Sequence, residues 1–323
     1  MAYETERAAA IDAVARASRL CRAVQARLVA GGTLQKGDKS PVTVADFGAQ
    51  AIVGRLLALE FTRIPMVGEE DASALRDPAN AALRTKVMDA VRTVLPDLHE
   101  DDVIEAIDRG TYEGGPKGAH WTLDPIDGTK GFLRLEQYAV ALALVVDGDP
   151  VLGVLGCPNY DDGKGAIFVG EKGRGASWRP LDEATFSPLF VSRTSDPAEA
   201  RLTESVESGH TAQDESAVVA ARLGLGGHPV RMDSQAKYAA VARGDADIYL
   251  RLPTRKDYVE RIWDHAAGYR VVVEAGGRVT DVHGRALDFS CGRGLDRNQG
   301  VVVTNGPLHD RVLATVQSVL GIG

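Results

Sequence analysis

Hydrophobic and polar positions divide this chain into an N-terminal part of helices followed by β-rich runs and a C-terminal part in which the two alternate. Residues 4–30 place Ile11, Val14, Ala15, Val24 and Leu28 at near-helical spacing until Gly31-Gly32 stops the pattern, which predicts an amphipathic first helix. Thr33 to Thr43 is polar and glycine-punctuated and reads as an exposed loop, with a second helix expected from about Val44 to Leu59. Ile64-Pro65-Met66-Val67 predicts a short strand that delivers Gly68-Glu69-Glu70-Asp71, and residues 77–109 read as mainly helical, broken near Pro96. Trp121-Thr122-Leu123 reads as a short buried strand. The runs at 138–146 and 151–155 flank Asp147-Gly148-Asp149-Pro150, a hairpin signal, and 166–169 and 176–178 extend the same sheet. Around Phe186 to Pro188 the pattern changes. Helices at 215–223, 235–243 and 264–275 then alternate with strands near Val230, at 246–250 and beyond, which argues for an α/β second half. No internal repeat or low-complexity segment interrupts the chain.

Composition narrows the reading without deciding it. The 323 residues suffice for two modest domains or one large one, and 44% apolar with 25% charged residues is ordinary for a globular protein. A net charge of −8 argues against a broad nucleic-acid surface, so a phosphate-bearing ligand has to be drawn in by a cation and a few local bases. Cys21, Cys157 and Cys291 form no C-x-x-C pair and read as buried reduced thiols. No apolar run is expected to span a membrane, and Met1-Ala2-Tyr3-Glu4-Thr5-Glu6-Arg7 has neither the basic start of a secretory signal nor the Arg/Ser bias of a transit peptide. The expectation is a cytoplasmic monomer, organellar if a presequence has been removed, with no membrane and no nucleic-acid polymer as partner.

The candidate chemistry centres on Asp124-Pro125-Ile126-Asp127-Gly128-Thr129. Two carboxylates three residues apart straddle a backbone carbonyl, at a point where the preceding strand is expected to break. Pro125 fixes φ and removes a donor, Gly128 permits a sharp exit, and the turn aims both carboxylates and the Ile126 carbonyl at one point. Crowded hard oxygen donors suit Mg²⁺ far better than zinc. Glu69 ends a predicted strand. Asp264, in Trp263-Asp264-His265-Ala266-Ala267-Gly268, begins a predicted helix, where it reads equally as an N-cap. Glu69, Asp124, the Ile126 carbonyl, Asp127 and Asp264 together would clamp two Mg²⁺ ions roughly 3.5–4 Å apart. Thr129 is placed to touch an attacking water, and Asp46, expected at the start of the second helix, to accept its proton through the Thr129 hydroxyl; read alone, Asp46 is a helix cap. Gly32 and Gly37 have the spacing of a phosphate-binding loop, but Asp38 stands where that loop needs lysine, and H-E-x-x-H and G-x-S-x-G are absent.

The combined pattern resembles the lithium-sensitive, magnesium-dependent phosphomonoesterases of the inositol monophosphatase superfamily, and within it the 3′(2′),5′-bisphosphate nucleotidases of yeast and plant type. The similarity runs from Lys36-Gly37-Asp38-Lys39-Ser40-Pro41-Val42-Thr43-Val44-Ala45-Asp46 through Thr129-Lys130-Gly131-Phe132-Leu133-Arg134 to Asp233-Ser234-Gln235-Ala236-Lys237-Tyr238 and Tyr249-Leu250-Arg251-Leu252-Pro253. The resemblance implies a sugar-phosphatase α/β fold, an α-β-α-β-α layered sandwich with an α+β first half. An N-terminal domain at 1–186 would carry the metal site, and a C-terminal domain at 187–323 would add nucleotide contacts and Asp264. It implies two or three Mg²⁺ ions. It also implies hydrolysis of the small-molecule substrate 3′-phosphoadenosine 5′-phosphate to AMP and phosphate, with activity on the phosphosulfate analogue. By the same resemblance Asp46 and Thr129 activate water, Glu69, Asp124, Ile126, Asp127 and Asp264 hold metal, and Thr129, His210, Ser234, Lys237, Arg251 and Asp264 contact substrate. Read on their own, Lys237 and Arg251 are surface bases and Ser234 is a helix cap. The competing readings are an inositol polyphosphate 1-phosphatase of the same superfamily and a catalytically silent nucleotide- or metal-binding protein.

Overall fold

The computed structural model describes residues 3–30, 40–206, 212–255 and 258–322. Its first half runs α1 (Glu4–Ala30), α2 (Ser40–Glu60), β1 (Met66–Gly68), α3 (Ser73–Arg76), α4 (Ala81–Arg92), α5 (Glu100–Asp108), β2 (Ala119–Asp127), α6 (Thr129–Arg134), β3 (Ala139–Val146), β4 (Asp149–Cys157), β5 (Ala166–Glu171), β6 (Gly175–Pro180) and β7 (Ser187–Leu189). The second half runs β8 (Leu202–Glu204), α7 (Gln213–Leu223), β9 (Val230–Arg231), α8 (Ala236–Arg243), β10 (Ile248–Arg251), α9 (Ala266–Glu274), β11 (Arg278–Thr280), β12 (Val301–Thr304) and α10 (His309–Leu320).

Strands β1 to β7 form one sheet in chain order, antiparallel except for the parallel β1–β2 pair. The second sheet has the order β11-β12-β10-β8-β9, and its β8 pairs in parallel with both β9 and β10. Period-two patterning explains the layers. In β3, Val140, Leu142 and Leu144 face the core shared with α1 and α2, whereas Ala139, Ala141 and Ala143 face the core shared with α8 and α9. Small residues on that second face let α9 lie close across β3, β4 and β5. Helix α8 also touches β10 and β12, and α7 and α10 cover the far side of the second sheet around Val219, Ile248, Val302 and Val312. The five layers are therefore helix, sheet, helix, sheet, helix, as the resemblance implied. Each large side chain sealed into these layers, such as Leu142, contributes about 1.5–3 kcal/mol of burial.

Three expectations change at the level of elements. The second helix begins at Ser40, inside the segment read as a loop, so Asp46 is the seventh residue of α2 rather than a cap. Residues 42–60 of that helix are long and apolar enough, by length and composition, to cross a membrane, with a mean hydropathy of 1.4, contrary to the expectation that no run qualifies. That stretch is 72% buried against α1, α4, α5 and β2, and a helix apolar on most sides is what an interior position requires. The third change concerns β2, which does not stop at Leu123 but continues through Asp127. The hairpin at Asp147-Gly148 is as expected: both residues have positive φ, 50° and 78°, matching the two-residue turn whose twist suits flanking strands.

Candidate active site

The continuation of β2 is what builds the site. Asp124 pairs with Ala141 and Asp127 with Ala139, so Pro125 and Ile126 together oppose the single residue Val140. This β-bulge changes the parity of the strand. Without it, residues three apart would point to opposite faces; with it, Asp124 and Asp127 share the face of Ala139 and Ala141. Pro125 lies in the bulge, where a missing donor costs no ladder bond. The Ile126 side chain is buried in the core on the opposite side and anchors the turn. Gly128 then takes φ 91° to start α6, and a Cβ there would come within 2.9 Å of the Ser234 Cβ. Two loops from separate halves of the chain thus meet at a glycine.

Glu69 reaches the same place from β1. Its amide donates to the Leu123 carbonyl at 3.2 Å, and the Gly68 amide donates to Gly110 at 2.8 Å. Buried Gln50 of α2 accepts from the Glu70 amide at 3.2 Å and donates to the Ile107 carbonyl at 2.8 Å, which fixes the acidic loop against the helix. Asp264 ends a 3₁₀ turn, Ile262–Asp264, just before α9 instead of beginning that helix. From the N-cap position of α8, the Gln235 amide donates to Asp127 Oδ2 at 2.6 Å. The Gln235 side chain donates to the Trp263 carbonyl at 2.8 Å and accepts from the Gly268 amide at 2.9 Å.

A cavity of about 360 Å³ collects these groups. Glu69, Asp124, Ile126, Asp127, Thr129 and Asp264 line it, and so do Ser234, Lys237 and Arg251. Asp46 is buried beside it rather than on its wall, within electrostatic reach of Glu69, Glu70 and Asp124. His210 lies outside the described residues, as do Lys36 to Lys39. Leu133 and Tyr258 add apolar surface and Ser205 a hydroxyl that the sequence did not suggest. A separate surface cleft of about 280 Å³ between Arg7, Glu171 and Arg174 has no comparable convergence of carboxylates.

Electrostatics set this cavity apart. Burial, followed by the charges of Glu69, Asp127, Asp264 and Asp46, pushes the Asp124 carboxyl well above its ordinary range. Half-buried Asp264 is pushed up by desolvation and by Asp127 despite the opposing Arg251, and Glu69, though exposed as a residue, is raised by the protein crowding its carboxyl and by Asp127. Burial raises Asp46 as well, reinforced by Glu69 and Glu70, and raises Glu70 to about 7. Carboxylates this crowded are costly while uncompensated. They fit a hard divalent cation: every donor is oxygen, and Asp124 Oδ1 is buried with no hydrogen-bond partner among the described residues. Among the described residues a tighter trio of possible ligand atoms, Glu260, Asp264 and His265, also occurs. Glu260 is already committed, however, to Arg251 at 2.6 Å and to His265 at 3.2 Å, so that trio is a charge network rather than a metal cage.

Neither Lys237 nor Arg251 is the surface base that its sequence context suggests. Lys237 is buried, donates to the carbonyls of Met232 at 3.1 Å and Ser234 at 2.7 Å, and lies over the Tyr249 ring; desolvation brings its pKa down to about 8. Arg251 offers a two-pronged contact to Glu260, Nε to Oε1 at 2.9 Å and Nη2 to Oε2 at 2.6 Å, and approaches Asp264 at 3.5 Å. Burial alone would raise Glu260, but Arg251 and His265 hold it down at about 2. His265 completes the network by hydrogen bonding to the Tyr238 hydroxyl through Nδ1 at 2.7 Å. Ser234 sits at φ 70°, and its hydroxyl accepts from the Ala236 amide at 3.1 Å, but it precedes Gln235, which is the N-cap of α8, so Ser234 closes a turn before the helix rather than capping it. Glu260 and Gln235 are the structurally central residues that sequence reasoning did not single out. The one available signal was an acid set among apolar residues in Val259-Glu260-Arg261-Ile262-Trp263.

The raised carboxyls make a stability prediction. A carboxyl whose folded pKa exceeds its unfolded value adds stability that is complete below the unfolded pKa and lost as pH rises through the folded one. For Glu70 that window runs from 4.5 to about 7, and Asp46, Asp124 and Asp264 shift in the same direction. In chelator, the melting temperature is expected to fall between pH 5 and pH 7.5, and added divalent cation should restore it at the higher pH. A melting temperature in chelator that rises or stays level across that range would contradict the electrostatic account.

A five-layer α/β fold with a cluster of acids at a strand bulge defines a class, and comparison with known proteins agrees. The chain belongs to the inositol monophosphatase family, whose pattern matches residues 3–320. Among curated relatives it is 44% identical to a 3′(2′),5′-bisphosphate nucleotidase of Oryza sativa, covering 98% of this chain and 95% of the relative. It is 45% identical to the enzyme of that name from Emericella nidulans, covering 99% of each. Among solved structures, the inositol monophosphatase of Anabaena (Nostoc) sp. PCC 7120 superposes with a TM-score of 0.67 at 20% identity, covering 98% of this chain and 97% of that one. Mycobacterium tuberculosis SuhB does so at 0.65 and 22%, covering 99% and 98%. At such identities these structures speak for the fold alone.

Proposed function

We propose that this chain is a Mg²⁺-dependent 3′(2′),5′-bisphosphate nucleotidase that converts 3′-phosphoadenosine 5′-phosphate to AMP and phosphate. The observation that carries the reading is the convergence of Glu69, Asp124, Asp127 and Asp264 on a cavity that also presents Lys237 and Arg251. Relatives bearing that activity in their names cover nearly the whole chain. The cavity volume, about 360 Å³, lies in the range of small-molecule sites.

Glu69, Asp124, Asp127, Asp264 and the Ile126 carbonyl would hold Mg²⁺. Bound there, the cation supplies positive charge to the scissile phosphate and lowers the pKa of water. The protein's own groups do the rest. The Thr129 hydroxyl, at the start of α6, orients the attacking water. Asp46 receives the water's proton through that hydroxyl; its raised affinity for protons, set by burial and by Glu69 and Glu70, suits it to a base. The water oxygen bonds to phosphorus as the bond to the ribose 3′ oxygen breaks; that oxygen takes a proton from solvent water, and Asp46 returns the proton it received to solvent. Lys237, Arg251 and Ser234 bind the remainder of the nucleotide, including its second phosphate. The sulfated analogue, carrying a 5′-phosphosulfate in the same place, is a further substrate on this reading.

A parallel assay tests the substrate class. Phosphate release from 3′-phosphoadenosine 5′-phosphate should exceed release from inositol 1,4-bisphosphate under identical Mg²⁺ concentrations; the reverse order would favour the inositol polyphosphate reading. Lithium is expected to inhibit at sub-millimolar to millimolar concentration. A small hard ion can occupy an oxygen-lined position while carrying half the charge of Mg²⁺. Unchanged turnover across that range at limiting Mg²⁺ would count against the assignment.

A further inference from the structure

Glu69 and Asp264 reach the cavity from chain segments nearly two hundred residues apart, and both lie unfavourably close to the buried carboxylate of Asp124. Something other than mutual attraction must set their separation. Arg293 joins the two segments. Its own stretch is stitched to the run that leads into Asp264: the Ile262 amide donates to the Arg293 carbonyl at 3.1 Å, the Leu295 amide donates to Glu260 at 2.8 Å, and Arg261 bridges Gly294. Its side chain then crosses to the first half. Nη2 donates to the carbonyl of Gly68, the residue before Glu69, at 2.6 Å. Nη1 donates to the carbonyls of Gly110 at 3.2 Å and Tyr112 at 3.1 Å. The guanidinium lies 4.8 Å from the ring centre of Trp263, the residue before Asp264.

We infer that Arg293 is a positioning residue that holds the Glu69 segment against the Asp264 segment and thereby sets the geometry in which the acidic cluster takes up its cation. One planar group uses its edge on the backbone preceding one carboxylate and its face on the ring preceding the other. Lysine has no fork to reach three carbonyls and no flat face to lay on the indole. The inference rests on the metal-site reading above. It differs from simple bracing because it places the effect on metal uptake and not on the nucleotide: Arg293 is not one of the residues lining the cavity.

The test is Mn²⁺ binding to the full-length protein, followed by the electron paramagnetic resonance of free Mn²⁺ in wild type, Arg293→Met, Arg293→Lys and, as a control, Arg297→Met. Arg297 is on the same stretch but exposed, and among the described residues it pairs only with Asp288. Supporting groups around metal ligands are worth about 10- to 100-fold in affinity, so Arg293→Met should weaken Mn²⁺ binding by that factor. Arg293→Lys should fall between it and wild type, and Arg297→Met should match wild type. At saturating Mg²⁺, KM for the nucleotide should remain close to wild type in all of them. Mn²⁺ affinity in Arg293→Met equal to wild type would overturn the inference while leaving the metal site intact. If Arg293→Met does not fold, Arg293→Lys decides: wild-type Mn²⁺ affinity in that variant overturns the inference, and a clear loss with normal KM supports it. Failure of the wild-type protein to bind Mn²⁺ would overturn the functional reading and this inference together.

Discussion

Asp124→Ala is expected to lower kcat/KM for 3′-phosphoadenosine 5′-phosphate by at least about a thousandfold, with Asp127→Ala close behind. Charge stabilisation at a metal-assisted phosphoryl transfer is worth several kcal/mol, and each 1.36 kcal/mol is about tenfold in rate. Asp124 is the most buried acid of the cluster, and four neighbouring carboxylates push its proton affinity up. That environment makes the second half of the prediction unusual for a core substitution. Without metal, removing Asp124 relieves a buried repulsion, so the melting temperature of Asp124→Asn in chelator should equal or exceed that of wild type. Loss of activity with gain of metal-free stability is the signature of a group kept for function at a cost to the fold. Near-normal Mg²⁺-dependent turnover in Asp124→Ala or Asp127→Ala would refute the assignment, and a large drop in the metal-free melting temperature of Asp124→Asn would show that the residue is mainly structural.

Lys237 and Arg251 should separate nucleotide recognition from metal chemistry, with different side effects. A charge-assisted contact is worth roughly 1.5–3 kcal/mol, so Lys237→Met should cost about tenfold to over a hundredfold in kcat/KM for the bisphosphate, mostly through KM. A substrate lacking the second phosphate should lose much less, because the contact is never made. Arg251→Ala should show the same discrimination and also destabilise the protein, since it leaves Glu260 buried beside His265 without its cation; breaking a buried pair in this way costs about 3–5 kcal/mol. Metal affinity should stay near wild type for Lys237→Met, since the Lys237 ammonium bonds to the carbonyls of Met232 and Ser234 and lies over the Tyr249 ring. Equal losses on mono- and bisphosphate substrates would instead place these cations at the scissile phosphate or in the fold.

The chemistry of the site was legible where it was local. Asp124-Pro125-Ile126-Asp127-Gly128 announces a bend that gathers oxygen ligands, and Glu69 and Asp264 sit beside short predicted elements whose ends face a common cavity. The mechanism of the gathering was not legible. Sequence patterning ends the strand at Leu123, because a bulge is a property of pairing with β3 and leaves only Pro125 as a hint. Asp46 was misplaced because the start of α2 lies in a polar, glycine-bearing stretch that reads as loop, although the helix already begins at Ser40. The apolar face pattern of α2 likewise says nothing about whether protein or lipid surrounds it; α1, α4 and α5 do. Lys237 and Arg251 looked like surface bases because what buries them, the carbonyls of Met232 and Ser234 and the carboxylate of Glu260, is organised only by the fold. Arg293 illustrates the limit most clearly, since it acts on a carbonyl 225 residues away.

The most direct measurement is phosphorus NMR of 3′-phosphoadenosine 5′-phosphate incubated with the purified protein, with Mg²⁺ and with chelator. With Mg²⁺ the 3′-phosphate signal is expected to be replaced by inorganic phosphate while the 5′-phosphate signal persists as AMP, and chelator should stop the change. Release of the 5′-phosphate, or release at the same rate in chelator, would contradict the assignment.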